Sequence, residues 1–370
     1  MIKTCPVCNR MHCDVFFELR NVPVLCNLLL SSREDAVQCP KSDIRLAYCQ
    51  ICTHIFNEAF DFQKMNYTSK YDSSLHCSQH FQNYVISLVQ RLTNRYGLRE
   101  KHIIEIGCGQ GDFLFMLCEQ GYNTGTGFDP SVEPTSHSRR VKIIQDVYSK
   151  RYAGHADLLC CRHVLEHVEN PVRFIDKLNS AIGPETIVYF EVPNVLYTLK
   201  DLGIWDIIYE HCLYFNTGSL GYLFASCGFR IEELAEAFDG QYLGIEAKKG
   251  NIEYKPLEII NYVKAFSKHY KQKINFWNRE VLKYRNNVIW GAGSKGVTFL
   301  NTVDHNIKYI VDINPNKHGK YVPGTGQKIV APEFLKEYRP ETVILMNPLY
   351  KEEVRARLSD LGVTANILCA

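Results

Sequence analysis

The sequence predicts an α/β protein built in three units. Three patterns carry that reading: two Cys-x-x-Cys pairs near the start, a strand, glycine loop and helix in the middle, and a second such unit near the end. The expected units are a small zinc-binding domain over residues 1–66, a central Rossmann-like domain over 67–250, a connecting helix over 251–285 and a C-terminal Rossmann-like domain over 286–370. At 370 residues the chain is long enough for two or three domains, each with its own core.

The first unit rests on "CPVC" (Cys5, Cys8) and "CQIC" (Cys49, Cys52), two pairs about forty residues apart. In this arrangement two knuckles close four thiolates around zinc. Pro6 fixes the backbone inside the first knuckle, and Asn9 tolerates the left-handed conformation such a turn needs. Four thiolates leave no open position for water, so the metal is expected to be structural. Cys13, Cys39, His12 and His54 lie close enough in sequence to replace a ligand. The other cysteines, among fifteen, sit mostly in apolar runs such as "DLLCCRHVL", as buried free thiols of a reducing compartment do.

The central unit begins "KHIIEIGCGQGDFLFMLCEQGYNTGTGFDPS". A short β-rich run leads into a glycine turn, then into apolar residues at helical spacing that Gly121 is expected to stop, then into a second strand. Gly107, Gly109 and Gly111 place backbone against a ligand at a helix N-terminus, and Asp129 ends the second strand, where a carboxylate takes both hydroxyls of a ribose. The loop is G-x-G-x-G, with Glu105 two residues before it. This form resembles the first motif of class I S-adenosylmethionine-dependent methyltransferases, whose acidic residue helps hold the loop and the methionine end of the cofactor. That resemblance implies a cofactor site in which Asp146, after a third strand, lies near the adenine. Arg162 and His163, after a fourth, flank the cofactor, with Glu166 and His167 on the helix behind it.

The third unit opens with "NVIWGAGSKGVTFLN". Gly291, Gly293 and Gly296 form a G-x-G-x-x-G, and "YIVDINP" brings Asp312 to the end of the next strand, an outline shared with dinucleotide sites. The unit is only about 85 residues, half a full dinucleotide domain, so it is expected to hold at most a mononucleotide or to serve as a packing partner.

The order of the three units, with "YDSSLHCSQHF", "RHVLEHV", "YEHCLYF", "GAGSKG" and "VDINPNKHGKYVPGTGQKIVAPEFL", resembles the zinc-containing sugar C-methyltransferases that act on nucleotide-linked keto-deoxyhexoses. The resemblance covers essentially the whole chain. It implies S-adenosylmethionine and structural zinc as cofactors and a nucleotide sugar as the small-molecule partner, in a cleft that all three units reach. It also implies His211 as the base, with Glu210 beside it and Tyr71 and Tyr209 lining the sugar site. That family commonly reads Tyr-His-Glu-His where this chain reads Tyr-Glu-His, one residue shorter.

The chemistry accounts for those residue types. Methylation beside a ketone needs a base for the α-proton, and imidazole titrates near neutrality. It also needs a donor to the enolate oxygen, which a phenol such as Tyr71 supplies. In "IIYEHCLYF" an acid and an imidazole lie inside an apolar run, as a satisfied buried pair or as the lining of a pocket. O- or N-methylation of another small polar metabolite is the alternative, with His211 deprotonating a hydroxyl or amine.

Composition narrows the partners. Lys and Arg number 42 against 40 Asp and Glu, a formal net charge of +2 that offers no footprint for nucleic acid or anionic lipid. No apolar run approaches the roughly 20 residues of a membrane span, and "MIKTCPVCNR" lacks the apolar stretch of a signal peptide, so a cytoplasmic location is expected.

Overall fold

The computed structural model describes residues 4–65, 78–132, 139–304 and 306–370, which build three sheets. In the first, β1 (Cys13–Pro23), β2 (Lys41–Cys49) and β3 (Ile55–Asn57) are antiparallel neighbours, with the short helix α1 (Arg33–Val37) between β1 and β2. Ser32 caps α1 by accepting from the Asp35 N–H.

The central unit starts with α2 (Gln79–Tyr96), capped at its start by the Ser78 hydroxyl and ended by Gly97 in the left-handed conformation. Then come β4 (His102–Ile106), α3 (Asp112–Gly121), β5 (Thr124–Phe128), β6 (Val141–Ile144), β7 (Leu158–Arg162), α4 (Pro171–Ala181), β8 (Ile187–Pro193) and the short α5 (Val195–Leu199). After β9 (Leu213–Tyr214), α6 (Thr217–Ser226) leads to the hairpin of β10 (Phe229–Ala237) and β11 (Tyr242–Lys249). The sheet runs β10-β11-β8-β7-β4-β5-β6. The five strands from β8 to β6 are parallel, and β11 and β10 close the edge antiparallel. Strand order reverses at β4, so the crevice beyond the C-terminal ends of β4, β5 and β7 is where such a sheet binds ligands.

α3 ends at Gly121, as expected, but the left-handed cap falls on Tyr122, at φ 54°. The glycine serves packing, since a Cβ there would lie 2.0 Å from the Leu98 carbonyl oxygen.

β9 joins the first sheet, pairing Leu213 with Phe56 and Tyr214 with Ile55. The apolar run "IIYEHCLYF" therefore fastens the N-terminal unit to the central one. The long helix α7 (Ile260–Val281) binds both outer units: Phe266 and Tyr270 pack on Phe17 with ring centroids 5.1 and 4.6 Å apart, and Trp277 packs on Phe299 at 5.3 Å. Each such buried aromatic contributes roughly 1.5–3 kcal/mol by leaving water.

The third unit alternates β12 (Asn287–Trp290), α8 (Ser294–Thr302), β13 (Tyr309–Val311), β14 (Lys328–Val330), α9 (Leu335–Tyr338), β15 (Thr342–Leu345), α10 (Lys351–Asp360) and β16 (Asn366–Cys369). Its sheet is all parallel, ordered β14-β13-β12-β15-β16. Both faces of β12 and β15 are buried, which is why "VIW" and "TVIL" read as continuous apolar runs.

Candidate functional site

The glycine loop sits between the end of β4 and α3. Gly107, Gly109 and Gly111 have φ of 68°, 52° and 85°. At Gly107 a Cβ would meet Val164 at 2.1 Å, so the loop lies directly on the turn that follows β7. At Gly109 a Cβ would meet nothing within 4 Å, so the loop's free side faces an open cradle. Glu105 is 3% exposed and accepts from the Leu114 N–H at 3.1 Å, joining the strand end to the first turn of α3. Burial pushes its carboxyl up to about 8, against the pull of Arg162.

Asp129 is partly exposed at the end of β5. Its carboxylate accepts from the Gly109 N–H at 3.0 Å and from the Ser131 N–H and hydroxyl at 2.8 and 2.6 Å. A carboxylate has about four lone-pair positions and three are taken here, so one, on Oδ2, remains open toward a ribose hydroxyl. Asp146 accepts from the Val147 N–H at 2.8 Å and is bonded by the Tyr152 hydroxyl and Arg151. The open cradle, Asp129 and Asp146 fit a nucleoside cofactor that lies across the strand ends.

Beyond β7 the site is ionic. Arg162 is buried over the Phe113 ring and donates to Glu191 Oε1 from Nε and Nη2 at 3.0 and 2.8 Å. Glu191, wholly buried on β8, also accepts from the Tyr189 hydroxyl at 2.9 Å and from Tyr84. Burial alone would raise the Glu191 carboxyl, but Arg162 and His163 hold it well below the usual range. His163 lies in the left-handed region at φ 54°, a strained position for a non-glycine residue. Its Nε2 is 3.0 Å from Glu191 and its Nδ1 3.7 Å from Glu166. Burial opposes a charge on this ring, yet the two carboxylates win and hold its pKa at about 9. Arg162 is thus engaged in the ion network below the cradle, and His163 is clamped between two acids.

Glu166 and His167 do not lie on a helix behind the site. They form a single turn, Leu165–His167, that faces the stretch around His211. His167 Nδ1 donates to the Glu210 carbonyl oxygen at 2.8 Å, and the Cys212 N–H donates to the Glu166 carbonyl oxygen at 2.9 Å. The rings of His167 and His211 are 5.0 Å apart. His211 is partly exposed and hydrogen-bonds the Asp206 backbone. Burial, reinforced by His167, lowers its pKa to about 3, so the ring is neutral near pH 7.

Its sequence neighbours are not its partners, which corrects the expected pairing. The Glu210 carboxylate turns into the N-terminal unit and accepts from the Cys26 N–H at 2.7 Å. Tyr209 is also wholly buried; its hydroxyl accepts from the Asp61 N–H at 2.9 Å and its ring lies 5.5 Å from Phe60. The reason is the turn that Tyr209 and Glu210 form just before β9, which sends both side chains into the N-terminal unit. Tyr71 lies outside the described residues. Glu191 is the residue that sequence reasoning missed; Glu166 was expected on a helix and faces His163 and His211 instead. For Glu191 a signal existed: a lone acid inside "IVYFEVP" cannot be buried without partners.

The four N-terminal cysteines do converge. Cys5 Sγ is 3.5 Å from Cys52 and Cys8 Sγ 3.5 Å from Cys49, with all four sulfurs within 4.8 Å of one another. Zinc–sulfur bonds of about 2.3 Å at tetrahedral angles place sulfurs about 3.8 Å apart, so the cluster fits Zn²⁺. Asn9 takes the left-handed turn expected after the first knuckle, at φ 56°.

Comparison with known proteins agrees with the central sheet. Residues 78–234 match the family described as Methyltransferase domain, and residues 243–365 match the family described as C-methyltransferase C-terminal domain. The central unit has the class I methyltransferase fold. The C-methyltransferase NovU of Streptomyces niveus is 22% identical over 391 residues, covering 95% of this chain and 91% of NovU. A ubiquinone biosynthesis O-methyltransferase of Actinobacillus pleuropneumoniae serotype 7 (strain AP76) is 27% identical over 124 residues. That match covers 30% of this chain and 52% of the relative, so the chain spans about half the length of that protein. Among solved structures, magnesium protoporphyrin IX methyltransferase from Synechocystis PCC 6803 with bound SAH is similar at a TM-score of 0.37 and 18% identity, covering 46% of this chain and 84% of that one. No helix among the described residues is long and apolar enough to cross a membrane.

Proposed function

We propose that this chain is an S-adenosylmethionine-dependent C-methyltransferase acting on a nucleotide-linked keto-deoxysugar, with His211 as the base that removes the α-proton. The observation that carries this reading is the position of His211: a neutral, partly exposed imidazole packed on the turn whose Val164 touches the glycine cradle. The match of residues 243–365 to a C-methyltransferase C-terminal domain and the length of the NovU match support carbon as the methyl acceptor.

Gly107, Gly109 and Gly111 would line the cofactor, Asp129 would take a ribose hydroxyl and Asp146 would lie on the adenine side. S-Adenosylmethionine, when bound, supplies a methyl group on a sulfonium. The protein's own work is to hold the acceptor's α-carbon in line with that group, take the proton on the His211 ring and keep water out. Tyr71 remains the proposed donor to the enolate oxygen. Glu210 and Tyr209 act from behind, holding the 207–215 stretch to the N-terminal unit. Cys5, Cys8, Cys49 and Cys52 would hold a structural zinc that makes that unit rigid. Metal analysis of the purified chain should give about one zinc; none, with four thiols titrating freely in the folded protein, removes the knuckle.

The reaction is tested with methyl-labelled S-adenosylmethionine and a nucleotide-linked keto-deoxyhexose, the product being read by NMR. Label is expected on carbon, and His211→Asn should bind both ligands while losing about 10²- to 10⁴-fold in turnover. Label on oxygen or nitrogen overturns C-methylation, and full turnover by the variant overturns the base.

A further inference from the structure

The base in the proposed function must become an imidazolium during turnover, and something in the protein has to meet that charge. The adjacent acid does not, since the Glu210 carboxylate faces Cys26 across the domain boundary. Another carboxylate stands within 4.8 Å of a His211 ring nitrogen. Glu166 is 1% exposed, and its Oε2 is buried with no hydrogen-bond partner among the described residues. An oxygen of Glu166 and ring nitrogens of His167 and His211 all lie within 4.8 Å of one another. A buried carboxylate oxygen that is desolvated and unbonded is costly unless a donor arrives at some stage.

We propose that Glu166, not Glu210, is the carboxylate that stabilises the protonated form of His211, and that it is a positioning residue for the base. This rests on the reading of His211 as the base. The charges support it. Arg162, Glu191, His163 and Glu166 alternate in sign along their chain of contacts, and as ionised groups they sum to zero. Burial favours a neutral Glu166, but His163, with His167 and His211, outweighs it and keeps the carboxyl below its ordinary range. Four neighbours act on His211. His167 and His163 oppose its protonation, whereas Glu166 and the Asp206 backbone favour it; the Tyr214 ring lies 6.1 Å away. Glu166 is therefore the one carboxylate among these neighbours that pulls a proton onto the ring. In the step itself the acceptor C–H bond breaks, its electron pair stays on the acceptor as the enolate, and the proton goes to a His211 ring nitrogen. The new cation sits beside Glu166, and the proton later leaves to water.

The full-length chain carrying Glu166→Gln tests this against the parent, Glu166→Asp and His211→Asn. With a nucleotide-linked keto-deoxyhexose as probe, Glu166→Gln should lower kcat by about 10- to 100-fold with both KM values unchanged. Deuterium at the acceptor's α-carbon should slow the variant more than the parent, because proton removal becomes limiting. Glu166→Asp, which keeps the charge, should recover most of the rate. A readout without turnover is the His163 imidazole followed by NMR in the unliganded protein, titrating near 9 in the parent and lower in Glu166→Gln. Loss of turnover in His211→Asn together with unchanged kcat and isotope effect in Glu166→Gln overturns the role of Glu166 alone. Full turnover in His211→Asn overturns the base itself. If Glu166→Gln does not fold, a Glu166→Asp variant with intact donor affinity but a loss as large as the gutted rate of His211→Asn overturns the proposal. So does a second zinc equivalent in the parent that Glu166→Gln loses.

Discussion

The two glycine loops of this chain share a backbone plan and differ in what fills them. In each, a strand runs into glycines, a helix follows, and an aspartate at the end of the next strand accepts from a loop N–H: Asp129 from Gly109 at 3.0 Å, Asp312 from Ala292 at 2.8 Å. In both loops a Cβ on the second glycine, Gly109 or Gly293, would meet nothing within 4 Å, so the difference lies at the aspartate. In the C-terminal unit Lys317, 5% exposed, lies 3.8 Å from Asp312 and donates to the Ala292 carbonyl oxygen at 3.0 Å, occupying the aspartate from within. Lys295, on the first turn of α8, is 3.2 Å from Asp206 and donates to Gln241 at 2.8 Å, while Gln241 and Asn347 bond each other. The second loop fastens the third unit to the central one. A glycine fingerprint specifies a backbone path; the charges placed around that path differ between the two loops.

The largest expected effect separates the two aspartates. Asp129→Ala should weaken S-adenosylmethionine binding by about 2–4 kcal/mol, some 30- to 1,000-fold in Kd, as the loss of charge-assisted hydrogen bonds to a ribose hydroxyl and to the Gly109 N–H implies. Asp312→Ala should leave that Kd unchanged and instead lower the stability of the third unit by about 1–3 kcal/mol, since it strands the Ala292 N–H and the Lys317 charge. Calorimetry gives the first and thermal denaturation the second. Micromolar NAD binding to the parent that Asp312→Ala abolishes would break the comparison.

Both loops were legible in the sequence because their residues are consecutive and their spacing is backbone geometry. The two cysteine pairs were legible for the same reason, each knuckle being a local turn. What the sequence did not disclose are partners set by the packing of distant segments. Glu210 meets Cys26 across 184 residues, His167 meets Glu210 across 43, and Arg162 meets Glu191 across 29. Adjacency in "YEHCLYF" suggested a pair, whereas the turn at Tyr209 and Glu210 sends the Glu210 side chain to Cys26 and leaves His211 with the neighbours Glu166 and His167 instead. Lys317 shows the same limit: nothing in "DINPNK" reveals that its amine folds back onto Asp312.

A smaller effect sharpens the comparison at the position two residues before each loop. The central unit has Glu105 there and the C-terminal unit has Ile289, both buried. Because burial raises the Glu105 carboxyl to about 8, the central loop carries a titration that Ile289 cannot supply. The sign follows from linkage. A carboxyl raised in the folded state adds stability that is complete below its unfolded pKa, near 4.5, and is lost as pH rises through about 8. Between those values stability should fall with pH, at no more than about 1.4 kcal/mol per unit. The local reporter is the Leu114 amide, which donates to Glu105. Its NMR resonance should titrate with a midpoint near 8 in the parent and lose that step in Glu105→Gln, while the Gly293 and Ser294 amides of the other loop stay level over the same range. A Leu114 midpoint near 4.5 would mean that Glu105 is ionised at neutral pH, so that the two loops would differ in charge rather than in the protonation of a buried acid.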